Sequence, residues 1–235
     1  MFPYFYVSDE PLYLFSIILL LVGVLVSAFA QIKVKSNFSK YSKSYAPING
    51  EQAAKRLLEA NGIYNVQIKR CAGQLTDHFD PRDNSIYLSE GVYDTYSIAA
   101  VGIACHEAGH AVQHAIGYKP IKLRTAIIPM TQIGSSLAMP LVLLGILFSF
   151  YELALLGVVF FGAALLFQIV TLPVEFNASA RARKTIREDA LLSSNADISG
   201  VSKILTSAAL TYVAAMLVSL AQFLRLLSIV NSRRR

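Results

Sequence analysis

Four stretches of this chain contain no Asp, Glu, Lys or Arg: Leu12–Ala30, Ala126–Tyr151, Leu153–Val174 and Ile204–Leu224. No other feature limits the fold as much. A helix of about 20 apolar residues crosses the hydrocarbon core of a bilayer, and uncharged runs this long have few other uses. Composition agrees, since 54% of the 235 residues are hydrophobic and 15% charged, too apolar for an ordinary soluble domain of this length. The expected fold class is an α-helical membrane protein with about four transmembrane helices, carrying a small cytoplasmic α+β portion.

Charge gives the orientation. Met1–Glu10 has no basic residue and carries Asp9 and Glu10, so no cleavable leader is expected and the first segment is read as an anchor. Lys33, Lys35, Lys40 and Lys43 crowd after it, and cytoplasmic ends of membrane helices carry the excess of Lys and Arg. The chain from Gln31 onward is then inside. Lys119, Lys122 and Arg124 lie on that side too, and two further crossings return Arg181, Arg183, Lys184 and Arg187 to it. The fourth segment fits less well, because a full crossing places Arg233, Arg234 and Arg235 outside. With 21 uncharged residues between Lys203 and Arg225, a crossing is still the favoured reading.

The sequence thus describes a multi-pass protein of the cell membrane. Its formal net charge of +6 is explained by basic residues flanking apolar helices, which serve topology and anionic lipid head groups. Without an accompanying binding motif that charge excludes nucleic acid as the expected partner. Cys71 and Cys105 both fall in cytoplasmic segments, where thiols stay reduced, so no disulfide is expected.

Five regions follow along the chain. They are an N-terminal anchor, 1–30; a cytoplasmic α+β portion, 31–124; a transmembrane helical hairpin, 125–174; a helix bearing a candidate metal ligand, 175–203; and a C-terminal membrane helix with a basic tail, 204–235. Residues 31–48 read as a juxtamembrane linker. Asn49 precedes a helix over Gln52–Ala60 that Asn61-Gly62 ends. Val66–Arg70 alternates as a strand, and the turn formers Asp80–Asn84 lead into a second strand at Ile86–Leu88. A mostly apolar helix is expected from Ser97 to Ile116, closed by Gly117.

That last helix carries His106-Glu107-Ala108-Gly109-His110, the H-E-x-x-H pattern. Residues four apart on a helix share a face about 6 Å apart along the axis, so both imidazoles can meet one zinc ion. Glu107 projects beside them, placed to take a proton from a metal-activated water and deliver it to a leaving amine. With four His and eight Glu in the whole chain, chance assembly of the pattern on a helix is rare.

A catalytic zinc needs a third protein ligand and an open position. His114 continues the spacing but lies about 12 Å from His106 along a straight helix, too far to share the metal. Glu175 is the better candidate. The segments 126–151 and 153–174 are separated only by Glu152 and form a tight hairpin, which returns the chain to the face it left. Pro173 suits a break or the first turn of a new helix, from which Glu175 reaches the metal. The competing role for Glu175 is a membrane-edge carboxylate paired with Arg181 or Lys184.

Asp77–Pro81, Ile86–Ser89, His106–His114 and Leu172–Ser179 together resemble the bacterial membrane-bound neutral zinc metallopeptidases, the YugP-like family, and the resemblance covers nearly the whole chain. The family is similar in turn to the heat-shock membrane proteases and CAAX prenyl endopeptidases, gluzincins whose third zinc ligand is a Glu on a second helix. In those relatives an Asp four residues beyond the Glu orients the first His. Here that position is Ser179, whose hydroxyl accepts a hydrogen bond more weakly than a carboxylate. The resemblance also implies an edge strand that holds an extended substrate by strand addition, for which Ser85, Ile86, Tyr87 and Leu88 are the expected residues. His78 is read as a plain strand residue, with an oxyanion role as the alternative.

The expectation is a zinc endopeptidase, with one Zn2+ per chain held by His106, His110 and Glu175, and Glu107 as the catalytic base. It would cleave membrane-associated or unfolded proteins at the cytoplasmic face, in protein quality control by analogy with the family. A regulatory membrane partner and self-association are both compatible with the sequence. The competing class is a zinc-binding membrane scaffold or sensor without proteolysis. Glu107 argues against it, because a structural site needs no general base and is closed by a fourth ligand. A transporter is disfavoured, since the four apolar segments hold no ionisable group.

Overall fold

A computed structural model describes residues 11–192 and 194–232. The leader reading of Met1–Glu10 and the placement of Arg233–Arg235 lie outside the described residues. Helices α1 (Pro11–Tyr41) and α2 (Gly50–Ala60) are followed by strands β1 (Gln67–Cys71), β2 (His78–Asp80) and β3 (Ser85–Ser89). Four more helices complete the chain: α3 (Ile98–Ala115), α4 (Lys119–Leu147), α5 (Tyr151–Glu188) and α6 (Asn195–Ser232).

Helices α1, α4, α5 and α6 are long and apolar enough to cross a membrane. At 31 residues α1 runs about 46 Å, well beyond the roughly 30 Å hydrocarbon core. Its last turns therefore extend past lipid, and most of the stretch read as a linker is helical to Tyr41. No Gly or Pro interrupts it there, and a helix already nucleated in lipid propagates at little cost.

The described residues form two compact units, each contiguous in space but not in sequence. The first is helical, built from the chain up to Ala28, Leu123–Val170 and the chain from Tyr212 onward. Inside it α4 and α5 form the expected hairpin, turning at Ser149 with φ of 54°. Small residues let the two helices close up: a Cβ on Gly157 would stand 2.6 Å from the Ala138 carbonyl oxygen. Such close backbone approach is how helices gain packing where lipid is as apolar as a side chain.

The second unit comprises Phe29–Lys122 and Thr171–Thr211. It holds α2, the sheet and α3, together with the second half of α5 and the first of α6. Its core gathers Leu57, Ile86, Leu88, Val92, Val101, Ala104, Val112, Ile186 and Val201, all buried. Asn49 caps α2 with a full capping box to Gln52, and Ser97 caps α3 by accepting from the Ala100 amide at 3.1 Å.

The sheet order is β1-β3-β2, with β1 parallel and β2 antiparallel to β3. This corrects the expectation for Ser85, Ile86, Tyr87 and Leu88. They form the central strand, with partners on both sides: Ile86 pairs with Ile68 and with Phe79, Tyr87 with Lys69 and with His78. Ser85–Tyr87 are flanked by strands on both sides and Leu88 pairs with Arg70, so this strand is not a free edge for an added peptide. Only Tyr87 of β3 is not buried, as expected for a strand covered on both faces. Of strand β2 only His78 was read as a strand residue, and its extent was not, because three residues, His78-Phe79-Asp80, are too few to display a period.

Helix α5 differs in a second way. It continues through Pro173 without a break, so Glu175 sits in the interior of a 38-residue helix and not at the start of a new one. Pro removes one backbone donor, a loss that membrane helices tolerate when neighbouring groups re-satisfy the freed carbonyl.

Candidate metal centre

Helix α3 runs through the core of the second unit, and its composition allows it. Ala99, Ala100, Ala104, Ala108 and Ala111 are buried to 1% exposure or less, so neighbours approach its backbone closely. Cys105 fills the side towards α2, its thiol 3.6 Å from the Ala53 carbonyl oxygen. Burial pushes that thiol up, so it stays protonated. The less buried positions Ile103, His106, Glu107 and His114 recur at helical spacing, and His110, 8% exposed, lies on the same stripe.

Glu175 of α5 faces this stripe. Its Oε2 lies 3.2 Å from His106 Nε2 and 3.6 Å from His110 Nε2, while the two imidazoles meet edge to face with ring centroids 4.7 Å apart. The ligand atoms of His106, His110 and Glu175 all fall within 4.8 Å of one another. A tetrahedral zinc with bonds of about 2.0–2.1 Å keeps its ligand atoms about 3.3 Å apart, so the donor set fits the ion in both chemistry and spacing. Glu175 is 2% exposed, and a carboxylate so buried requires positive charge beside it. Of the two partners weighed for it from the sequence, Arg181 donates to Asn177 at 2.9 Å and Lys184 lies 3.9 Å from Glu188.

Each imidazole is held from behind. Ser179, one turn after Glu175, places its Oγ 3.2 Å from His106 Nδ1. His110 Nδ1 lies 3.0 Å from Gln113 Oε1. In both rings this leaves Nε2 on the side of Glu175. Burial works against a charge on His110, but the negative charges of the Glu175 carboxylate, 3.6 Å away, and of Glu107 outweigh it and raise its pKa. Glu107 lies beside both imidazoles, and burial lifts its carboxyl above the ordinary range. The imidazoles oppose that rise, whereas Glu175 and Asp77 add to it. A carboxyl raised towards neutrality is suited to taking up and releasing a proton.

Residues 16–231 match the family described as "putative neutral zinc metallopeptidase". The chain belongs to this zinc metallopeptidase family. Among curated proteins, the "putative membrane protease YugP" of Bacillus subtilis (strain 168) is 46% identical over 220 residues, covering 93% of this chain and 97% of that relative. No solved structure matches the chain. The chain is thus a membrane protein of a zinc peptidase family, with His106, His110 and Glu175 grouped as a site able to hold the ion.

Other residues of the chain fall away from this centre. His114 is exposed and packs its ring against Phe79 of β2, with centroids 5.6 Å apart. His78 stacks on Tyr87 at 4.9 Å, and its Nδ1 lies 2.8 Å from the Thr76 carbonyl oxygen. Ser85, Ile86, Tyr87 and Leu88 belong to the sheet interior, as described above. Three contributions were not singled out from the sequence. Gln113 and Asn177 stood inside quoted motifs without a role, although Gln113 follows His110 at helical i,i+3 spacing. Asp77 ends the turn before β2, and its carboxylate accepts from the Ser89 amide at 2.7 Å and the Ser89 hydroxyl at 3.1 Å.

Proposed function

We propose that this chain is a zinc metalloendopeptidase of the gluzincin type, hydrolysing peptide bonds of membrane-associated or unfolded proteins at the cytoplasmic face of the membrane. The observation that carries the reading is the meeting of His106, His110 and the buried Glu175 carboxylate, with Glu107 free of that ligand set and beside it.

The chain's own groups divide the work. His106 and His110 offer Nε2, and Glu175 offers Oε2. A bound zinc supplies Lewis acidity, polarising the scissile carbonyl and making water acidic enough to attack near neutral pH. Glu107 takes the proton of the attacking water and passes it to the leaving amine nitrogen. Ser179 and Gln113 hold the imidazole rings against rotation.

The substrate-binding edge moves from β3 to β2 in this reading. Among the described residues no further strand pairs with the side of β2 away from β3, and the strand lies against α3 through Phe79 and His114. Main-chain hydrogen bonds to such an edge bind peptides with little sequence preference. The cytoplasmic placement rests on the Lys and Arg flanking the apolar helices. A labelling experiment from either side of sealed vesicles, using single Cys residues placed near Lys43 and Phe148, tests that placement.

The decisive experiment is cleavage of an unfolded reporter protein by the detergent-purified chain, beside Glu107→Gln, with chelation followed by zinc add-back. Cleavage that needs both zinc and Glu107 is the expected result. Zinc bound by both forms with cleavage by neither, on unfolded or membrane-embedded reporters, would overturn the peptidase reading in favour of a zinc-binding scaffold.

A further inference from the structure

Gln113 is fully buried near the end of α3, directly after the buried Ala111 and Val112. A buried amide is costly unless its donors and acceptor are satisfied. Here they are. Nε2 donates to the Val174 carbonyl oxygen at 2.8 Å and to Asn177 Oδ1 at 3.0 Å, while Oε1 faces His110 Nδ1 at 3.0 Å. One side chain therefore joins the second histidine to the turn of α5 that carries Glu175.

The two ends of an amide are nearly identical in shape, so its orientation must be argued from its partners. Two partners decide it independently. The Val174 carbonyl can only accept, so the group facing it at 2.8 Å must be the NH2 end. The second is Asn177, which faces the Arg181 guanidinium at 2.9 Å. A guanidinium can only donate, so Asn177 presents its oxygen there, and the same oxygen faces Gln113. Reversing Gln113 would set its oxygen against two other oxygens with no proton between them. With NH2 towards α5, the carbonyl end points at His110.

An acceptor beside Nδ1 requires that nitrogen to carry the hydrogen. In the neutral ring that binding an ion requires, Nε2 then keeps the lone pair, on the side of the Glu175 carboxylate 3.6 Å away. The other imidazole is governed differently. Ser179 lies 3.2 Å from His106 Nδ1, but a hydroxyl donates or accepts as required and dictates no tautomer.

We propose that Gln113 is a positioning residue for the metal centre: anchored by the Val174 carbonyl and Asn177, it holds His110 as the Nδ1–H tautomer and aims Nε2 at the ion. The inference rests on the zinc-site reading above. It assigns a role to Gln113, and through it to Asn177 and Arg181, none of which touches the ion. An outer hydrogen-bond partner of this kind fixes the ring and raises its basicity as a ligand. By gripping the backbone one residue before Glu175, Gln113 also ties the third ligand to the second.

The test uses the full chain purified in detergent, with Gln113→Met and Gln113→Glu. Zinc affinity is measured by competition with a chelating dye, and the absorption spectrum of the Co2+-loaded protein reports ligand geometry. Met matches Gln in length but cannot hydrogen-bond, so Gln113→Met is expected to bind zinc about 10- to 100-fold more weakly, with an altered Co2+ spectrum. Glu keeps the acceptor towards Nδ1 and, protonated on its other oxygen, can still donate to the Val174 carbonyl, so it is expected to recover part of that loss. A residue that merely fills space gives the opposite order, because Met is harmless there and a buried carboxylate is not. Gln113→Met with zinc affinity within about twofold of wild type and an unchanged Co2+ spectrum overturns the proposal, whether or not Gln113→Glu folds. Failure of the wild-type chain to bind zinc is a separate result, and it overturns the metal-centre reading together with this one.

Discussion

Gly109 of α3 lies against the backbone of Ala178 in α5, so closely that a Cβ on Gly109 would stand 2.8 Å from the Ala178 carbonyl oxygen and 3.2 Å from its Cα. Ala is the better helix former by about 1 kcal/mol, so local propensity alone favours Gly109→Ala. The contact reverses that sign. Overpacking of this kind costs about 1–3 kcal/mol, and relief by moving α5 shifts Glu175 and Ser179 on either side of Ala178. Gly109→Ala is expected to lower the thermal midpoint and to weaken zinc binding at least tenfold, as read by a melting curve and a zinc titration on one sample. Wild-type zinc affinity in a folded Gly109→Ala chain would falsify the need for this approach.

Glu107 and Glu175 are two carboxylates beside the same imidazoles, and their losses should separate. Glu107→Gln is expected to cut peptide hydrolysis by about 10²- to 10⁴-fold while leaving zinc content unchanged. Glu175→Gln removes a charged ligand and should lower zinc affinity first, with activity falling as the metal is lost. Metal analysis of both variants beside their hydrolysis rates distinguishes them. Equal zinc loss in the two would mean that Glu107 is a ligand.

Zinc removal should be visible in stability. A ligand that binds only the folded chain at about 100 times its dissociation constant adds about 2.7 kcal/mol. Chelation is therefore expected to lower the melting temperature of the wild type and of Glu107→Gln by similar amounts. His106→Ala and His110→Ala should show little further change on chelation. A wild-type chain indifferent to chelator would place the metal outside the fold's stability.

Asp77 closes the end of β3 by accepting both the amide and the hydroxyl of Ser89, a residue 1% exposed. Asp77→Ala leaves that buried amide without its partner and is expected to cost about 1–3 kcal/mol in chemical denaturation. Burial raises the Asp77 carboxyl above its ordinary 3.8, the Ser89 bonds opposing. A carboxyl with a raised pKa in the folded chain binds its proton more tightly there than when unfolded. The stability it contributes is therefore present below 3.8 and declines as pH rises through the raised value. Asp77→Asn should abolish this decline, which denaturation midpoints across that acidic window will read.

The two thiols should respond unequally. Cys105 has 0% exposure, whereas Cys71 is half-buried on β1, and both are free. A maleimide reagent is expected to label Cys71 in the native chain and Cys105 only after unfolding. Labelling of both at equal rates would contradict the packing of α3 against α2.

Much of this protein was determined by the sequence alone, for reasons that are local. Uncharged runs about as long as the hydrocarbon core is thick leave a chain little choice, so the four apolar helices were legible without coordinates. Asn49 and Ser97 announced α2 and α3 because a capping side chain acts within three residues of itself. His106, Glu107 and His110 were legible because helical spacing converts sequence distance directly into space. Even Glu175 could be reached, since a tight hairpin returns the chain to the surface it left.

Tertiary structure decided what depends on partners distant in sequence. Alternation marks a strand but says nothing of its neighbours, and Ser85–Ser89 became the centre of the sheet only because a three-residue strand too short to carry a period paired on its other side. Pro173 has the same local chemistry in a break as in a continuous membrane helix, and surrounding packing selected the latter. Gly109 looked like a weak helix residue until Ala178 occupied the space where a side chain would be. Gln113 gained a direction only when Val174, 61 residues away, turned a carbonyl towards it. A hydrogen bond orients an amide through a partner that no local pattern can name.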